Sequence, residues 1–93
     1  MDETTLTKTM AIKNRLGLHA RAAAQLVRTV SQFRAEITVI KDGQEVDGRS
    51  ILGLLMLAAA QGSIIEVRAA GPDAAAALAA IEDLVARGFD EEE

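Results

Sequence analysis

The fold of this chain is decided by one stretch, residues 35–47, which reads AEITVIKDGQEVD. Its first half is rich in β-branched residues, Asp42-Gly43 is a strong two-residue hairpin signal, and Gln44 to Asp47 form a short return strand. Two further segments, Leu6 to Ile12 and Ser63 to Ala70, alternate between apolar and polar residues as half-buried strands do. The sequence therefore predicts four strands.

Three helices are predicted between and after these strands. The first follows His19, because apolar residues then recur at every third or fourth position: Ala23, Leu26, Val27 and Val30. The second spans Ile51 to Ala60 behind Ser50, a good N-cap, and the third runs from Pro72 or Asp73 to Arg87. Gly88 is the stop signal of the third helix.

The element order is therefore β-α-β-β-α-β-α. Right-handed crossovers and the tight hairpin favour an α+β open-faced sandwich, in which a four-stranded antiparallel sheet carries three helices on one face. Ninety-three residues suffice for one modest core, so we expect a single domain over residues 1–93.

Composition excludes several classes of protein. The chain has no cysteine and one histidine, which leaves no disulfide framework and little support for a metal site, and we expect neither a metal nor a cofactor. The sequence shows no signal peptide and no apolar run of about eighteen residues, which predicts a cytoplasmic protein without membrane insertion.

The net charge of −4 comes from the end of the chain, where Asp90, Glu91, Glu92 and Glu93 stand. We expect residues 90–93 to form a solvated, frayed tail. The remaining body is near neutral and has two phenylalanines but no tryptophan or tyrosine, so nucleic-acid binding is not expected.

The candidate site is the segment NRLGLHARAAA, residues 14–24, which places His19 at the N-cap of the first helix. The backbone N–H groups of Ala20, Arg21 and Ala22 lack intrahelical partners there, and the helix dipole is positive, so a phosphate can bind. Arg21 adds a forked cationic donor. The same positive end disfavours imidazolium, which leaves a neutral, nucleophilic ring. A plain capping histidine beside an exposed arginine is the structural alternative.

Two motifs at a set spacing resemble one family. Leu16-Gly17-Leu18-His19-Ala20-Arg21, followed by GRSILGLLML at residues 48–57, is similar to HPr, the histidine phosphocarrier family of the bacterial phosphoenolpyruvate-dependent phosphotransferase system. The resemblance implies that His19 accepts a phosphoryl group on Nδ1 from phosphorylated Enzyme I and passes it to an enzyme IIA domain. It implies that Arg21 helps to hold the phosphate.

The protein is thus expected to be a carrier with a transient phosphohistidine in sugar transport or regulation, not a stand-alone enzyme. One departure from the family pattern is Ala22, which stands where many members have proline. Alanine keeps the helix and restores one backbone donor.

The second predicted helix has apolar side chains on every side. A helix on one face of a sheet buries only one side, so we expect Leu54, Leu57 and Ala58 in the core. An outward docking patch is expected to consist of Ile51, Leu52 and Leu55, with Met56 as an adaptable edge. Singly exposed leucines without a function are the alternative.

Ser50 has two interpretations as well. As an N-cap its hydroxyl accepts a backbone N–H, which alone explains a serine at this position. The resemblance implies regulatory phosphorylation of Ser50 by an ATP-dependent HPr kinase/phosphorylase.

Two other classes fit the same element order. One is a small-ligand regulatory module, and the other is an interaction protein that works through the Ser50 helix while His19 is silent.

Overall fold

The computed structural model describes residues 5–91. The elements, in chain order, are β1 Thr5–Ala11, α1 Ala20–Val30, β2 Glu36–Lys41, β3 Gln44–Asp47, α2 Ile51–Met56, β4 Ile64–Ala70, α3 Ala74–Ala86 and a terminal 3-10 turn, Gly88–Asp90. The predicted order and the α+β open-faced sandwich are confirmed. None of the helices formed within residues 5–91 is long and apolar enough to cross a membrane.

The sheet has the strand order β1-β4-β2-β3, and every pair of neighbours is antiparallel. In the predicted hairpin, Lys41 lies opposite Gln44, while Asp42 and Gly43 have φ angles of 52° and 81°. Two successive positive φ angles are those of the type I′ turn, whose twist matches that of the flanking strands. The hairpin prediction is therefore confirmed.

The core lies between one sheet face and the three helices. Along β4, Ile65, Val67 and Ala69 are buried while Ile64 is exposed, which is the alternation predicted from the sequence. The helices add their apolar stripes to this layer, and the larger buried side chains are those of Leu26, Val30, Leu54, Leu78, Ile81, Leu84 and Val85.

The second helix is shorter than predicted. It ends at Met56 instead of Ala60, because a tight turn follows in which the Ala58 N–H donates to the Leu55 carbonyl and Ala58 adopts a left-handed φ of 51°. Leu54 and Leu57 are buried as predicted. Ala58 is exposed, so its assignment to the core is wrong, and Ala59 occupies a buried position in its place.

The frayed tail predicted from residue 90 onward is wrong for Asp90 and Glu91. Phe89 is buried in the core, Asp90 belongs to the 3-10 turn, and the Glu91 side chain packs beside His19. An apolar anchor and two hydrogen-bonded carboxylates hold this turn in place, which a count of charges does not reveal. Glu92 and Glu93 lie outside the described residues.

Candidate functional site

His19 is the N-cap of α1, as predicted, and its ring faces the start of the helix. Its backbone is extended, and Nδ1 accepts a hydrogen bond from the Arg21 N–H at 3.3 Å. The first intrahelical bond runs from the Ala23 N–H to the His19 carbonyl at 2.8 Å. The N–H groups of Ala20, Arg21 and Ala22 therefore precede the hydrogen-bonded ladder and lie where an anion would be held.

The loop before His19 is fixed by the chain that leaves α2. The Leu18 N–H donates to the Ala59 carbonyl at 2.9 Å, and Leu18 is buried. Gly17 has a φ of 69°, and a Cβ at this position would lie 2.5 Å from the Ala59 oxygen. Only glycine satisfies both the left-handed backbone and this close approach. The turn that ends α2 early thus also sets the position of His19.

Two residues of the site carried no functional signal in the sequence, Asn14 and Glu91. Oε2 of Glu91 is hydrogen-bonded to Nε2 of His19, and Oε1 of Glu91 accepts from the Asn14 amide at 3.0 Å. The same Asn14 nitrogen donates to the Gly17 carbonyl at 2.7 Å, and Asn14 is fully buried. Asn14 stands inside the motif segment, whereas Glu91 stands 72 residues from His19 in an acidic run.

The carboxylate of Glu91 defines the protonation of the histidine ring. The hydrogen bond from His19 lowers the pKa of Glu91 below its ordinary value of 4.5, partial burial opposes this, and the Asn14 bond and the charge of Arg21 lower the pKa further. An ionised carboxylate only accepts, so Nε2 of His19 carries the proton. Nδ1, which accepts from Arg21, carries the lone pair.

The ring is reachable from outside the protein. The His19 side chain is 26% exposed, and it lines an open depression together with Arg15, Leu16, Arg21, Gln25 and Phe89, among others. Arg21 is exposed, whereas the Ala22 side chain is buried beneath the first turn. The structure thus brings His19, Arg21 and the first-turn amides together at one accessible surface.

Ser50 caps α2, and its Oγ accepts from the Gly53 N–H at 2.9 Å. The predicted docking patch is altered by the packing of its members. Leu52 is 70% exposed and Ile51 is also exposed, but Leu55 is half-buried against the core. Met56 is 64% exposed, and the loop beside His19 adds Leu16 at 68%. We use the name apolar rim for Leu16, Ile51, Leu52 and Met56.

Comparison with known proteins gives the family of this site. The family model described as the PTS HPr component phosphorylation site matches residues 6–87. The chain belongs to the HPr family. It is 47% identical over 88 residues to phosphocarrier protein HPr of Neisseria meningitidis serogroup A, which covers 95% of this chain and 99% of that protein.

Relatives that carry the name NPr are about as similar to this chain as the HPr protein from Neisseria. Phosphocarrier protein NPr of Escherichia coli K12 is 44% identical over 89 residues, with 95% of this chain and 99% of that protein covered. The crystal structure of HPr-C-His from Thermoanaerobacter tengcongensis superposes with a TM-score of 0.90 at 41% identity, covering 95% and 99% of the two chains. HPr proteins are phosphocarriers of the phosphotransferase system and not enzymes that complete a reaction alone.

Proposed function

We propose that this protein accepts a phosphoryl group from phosphorylated Enzyme I on Nδ1 of His19 and passes it to enzyme IIA domains. One observation carries the proposal: Nδ1 accepts the Arg21 N–H, so it carries the lone pair, and it lies at the amides that open α1. A neutral ring nitrogen is a nucleophile, and the helix start favours the negative charge of the incoming group.

The transfer needs no proton to move on this chain. The Nδ1 lone pair attacks phosphorus in line with the phosphorus–nitrogen bond of the donor phosphohistidine, and that bond breaks as the new one forms. The electron pair of the broken bond stays with the donor ring. The first-turn amides of Ala20, Arg21 and Ala22 and the guanidinium of Arg21 face the transferred oxygens and stabilise their charge. Transfer to an enzyme IIA domain is the reverse displacement.

The open shape of the site suits a carrier. A protein that must give up its phosphoryl group to the next acceptor gains nothing from holding that group tightly, since strong binding of the intermediate slows the onward step. The His19 ring lies in an open depression, where two different proteins can reach it.

The apolar rim is the proposed docking surface for these two partners. Large exposed apolar side chains near a reactive group are typical of protein-binding sites. Leu16 precedes His19 in the same loop, and Leu52 and Met56 lie on α2, which packs against α1. Both ends of the rim therefore belong to elements that contact the candidate site.

Ser50 is the proposed regulatory site for an HPr kinase/phosphorylase. Its hydroxyl caps α2 one residue before Ile51 in the apolar rim. A phosphate would add about −1.5 to −2 charges there, which the helix start tolerates but an apolar interface does not. Phosphorylation should therefore leave the fold intact and weaken docking.

Labelling tests the phosphocarrier proposal. Incubation with Enzyme I and radiolabelled phosphoenolpyruvate should give one acid-labile, alkali-stable phosphate on the wild-type protein and none on His19→Ala. Arg21→Ala should slow labelling, while Arg28→Ala, which removes an exposed arginine from the far end of α1, should not. A wild-type protein that takes up no label would favour a ligand-binding module or an interaction protein with a silent His19.

A further inference from the structure

The turn that follows α3 has a constrained backbone and ends with a residue that contacts His19. We use the name C-terminal strap for residues 88–91. Gly88, Phe89 and Asp90 have φ angles of 65°, 57° and 61°, so three successive residues are left-handed and two of them are not glycine. Such a backbone persists only where the surroundings hold it, and it is concentrated at functional sites.

Two anchors hold the strap. The Phe89 side chain is buried among the core residues. The Asp90 carboxylate accepts from Nε of Arg87 at 2.8 Å, and Arg87 is also paired with Asp83 one turn earlier in α3. The strap is therefore held both by the core and by the end of α3, so the position of its last residue, Glu91, is fixed.

Both oxygens of the Glu91 carboxylate are used at that place. Oε2 accepts a hydrogen bond from Nε2–H of His19, and Oε1 accepts one from the Asn14 amide. The orientation of Asn14 is fixed by its two acceptors, because the reversed amide would set its oxygen against the Gly17 carbonyl and the Glu91 carboxylate. The Glu91 side chain is only 12% exposed, so water screens its charge little.

We infer that Glu91 is a positioning residue of the phosphocarrier site, which holds the Nε2 proton of His19 and stabilises the positive charge that the ring gains when Nδ1 bonds to phosphorus. This inference rests on the proposed function. When Nδ1 attacks, the neutral ring keeps its Nε2 proton and becomes a phosphorylated imidazolium, whose charge is shared with Nε2. The charge disappears when the phosphoryl group leaves.

The arrangement separates the two negative groups. The phosphoryl group bonds to one ring nitrogen and the Glu91 carboxylate contacts the other, so the ring stands between them. The catalytic triad of serine proteases has a similar arrangement. There a carboxylate binds the histidine nitrogen that does not react, orients the ring and stabilises the imidazolium.

Two substitutions and one control test the inference. Glu91→Ala removes the acceptor, and Glu91→Gln keeps an acceptor of the same shape without the charge. Asp42→Asn removes one negative charge at the hairpin tip, where asparagine tolerates the left-handed backbone. Phosphoryl transfer from phosphorylated Enzyme I is measured in single turnovers over a range of carrier concentrations.

The maximal transfer rate should fall about tenfold in Glu91→Ala and less in Glu91→Gln, as expected when a hydrogen bond to a charged group is lost from a transition state. The concentration for half-maximal rate should not change, and Asp42→Asn should match the wild type. Nitrogen-15 NMR of the ring should place the proton on Nε2 in the wild type and should show a shift of the Nε2 resonance in Glu91→Ala, where the carboxylate acceptor is lost but the Arg21 N–H still donates to Nδ1.

Wild-type rates in both Glu91 variants would overturn the inference, and so would faster transfer, since that would make Glu91 an obstacle to the phosphoryl group. Either result leaves the phosphocarrier proposal standing as long as His19 is labelled. Absence of label on the wild-type protein would instead reject the proposed function itself.

Discussion

The starts of α1 and α2 are alike locally and differ in what surrounds them. Each is capped by a side chain that accepts a backbone N–H, His19 from Arg21 at 3.3 Å and Ser50 from Gly53 at 2.9 Å. At α1 the cap is a ring with a second polar edge, and that edge is bonded to Glu91. At α2 the cap is followed at once by exposed apolar side chains.

The difference shows that a capping position does not determine a chemical role. Both helix starts present first-turn amides to the capping side chain, but only the cap of α1 has a second polar atom, which is bonded to a carboxylate from a distant part of the described chain. At α2 the cap stands beside the exposed side chains of the apolar rim, the proposed docking surface. Substitutions that exchange or remove these surroundings should therefore separate the two roles.

Replacement of the two caps by alanine should give the largest contrast. His19→Ala should abolish transfer, because the attacking nitrogen is lost. Ser50→Ala should transfer at close to the wild-type rate and lose about 1 kcal/mol of stability, the usual cost of removing an N-cap. Radiolabelling and thermal unfolding of both variants measure the contrast, and a Ser50→Ala protein without label would remove the distinction between the two helix starts.

Phe89→Ala should have the next largest effect. Truncation of a buried phenylalanine costs about 3–5 kcal/mol of folding free energy, and here it also releases the strap that carries Glu91. Denaturant unfolding measures the loss of stability, with Leu52→Ala as a control at an exposed position. A loss below about 1 kcal/mol would mean that Phe89 does not anchor the strap.

Ser50→Asp places a charge beside the apolar rim without touching His19. The protein should remain folded, and the concentration of carrier needed for half-maximal transfer from Enzyme I should rise about tenfold, while the maximal rate is retained. Ser50→Ala is the matched variant without the charge. Unchanged kinetics in Ser50→Asp would contradict the assignment of this helix to docking.

Leu52→Ala should act in the same direction with a smaller effect. Removal of one exposed leucine changes the free energy of unfolding by no more than about 0.5 kcal/mol. Truncation of a rim residue that contacts a partner should nevertheless weaken binding by about 1 kcal/mol. Titration against Enzyme I measures the affinity, and Ile64→Ala, an exposed apolar residue at the start of β4, is the control.

The smallest expected effect is the change in the stability of the C-terminal strap with pH. The folded pKa of Glu91 lies below its ordinary value of 4.5, so its contribution to stability is present above that pH and is lost as the pH falls toward the folded pKa. The pKa of Asp90 is lowered by its bond to Arg87 and acts in the same direction. Amide NMR should show the strap loosening in acid, and this change should be weaker in Glu91→Gln.

Much of this molecule could be predicted from local pattern. Alternation along β4, the Asp42-Gly43 turn and the spacing of Leu26 and Val30 are short-range signals, since each depends on residues within one element. The histidine motif was visible for the same reason, because a cap, a glycine turn and a first helical turn occupy consecutive positions. The family resemblance added the chemistry that spacing alone leaves open.

Other features arise only from contacts between distant parts of the chain. The end of α2 at Met56 depends on the turn that brings the Ala59 carbonyl to Leu18, and the partial burial of Leu55 depends on the core beneath it. No periodicity within residues 51–60 encodes either fact.

The sequence by itself determined the four strands, the three helices and the placement of His19 at a helix start, because each follows from backbone preference and the period of apolar residues. The tertiary structure alone decided which group meets the second nitrogen of the histidine ring, a carboxylate from the far end of the described chain. That carboxylate belongs to Glu91, which Asn14 holds through its own hydrogen bond and which meets the ring only where Phe89 is buried in the formed core.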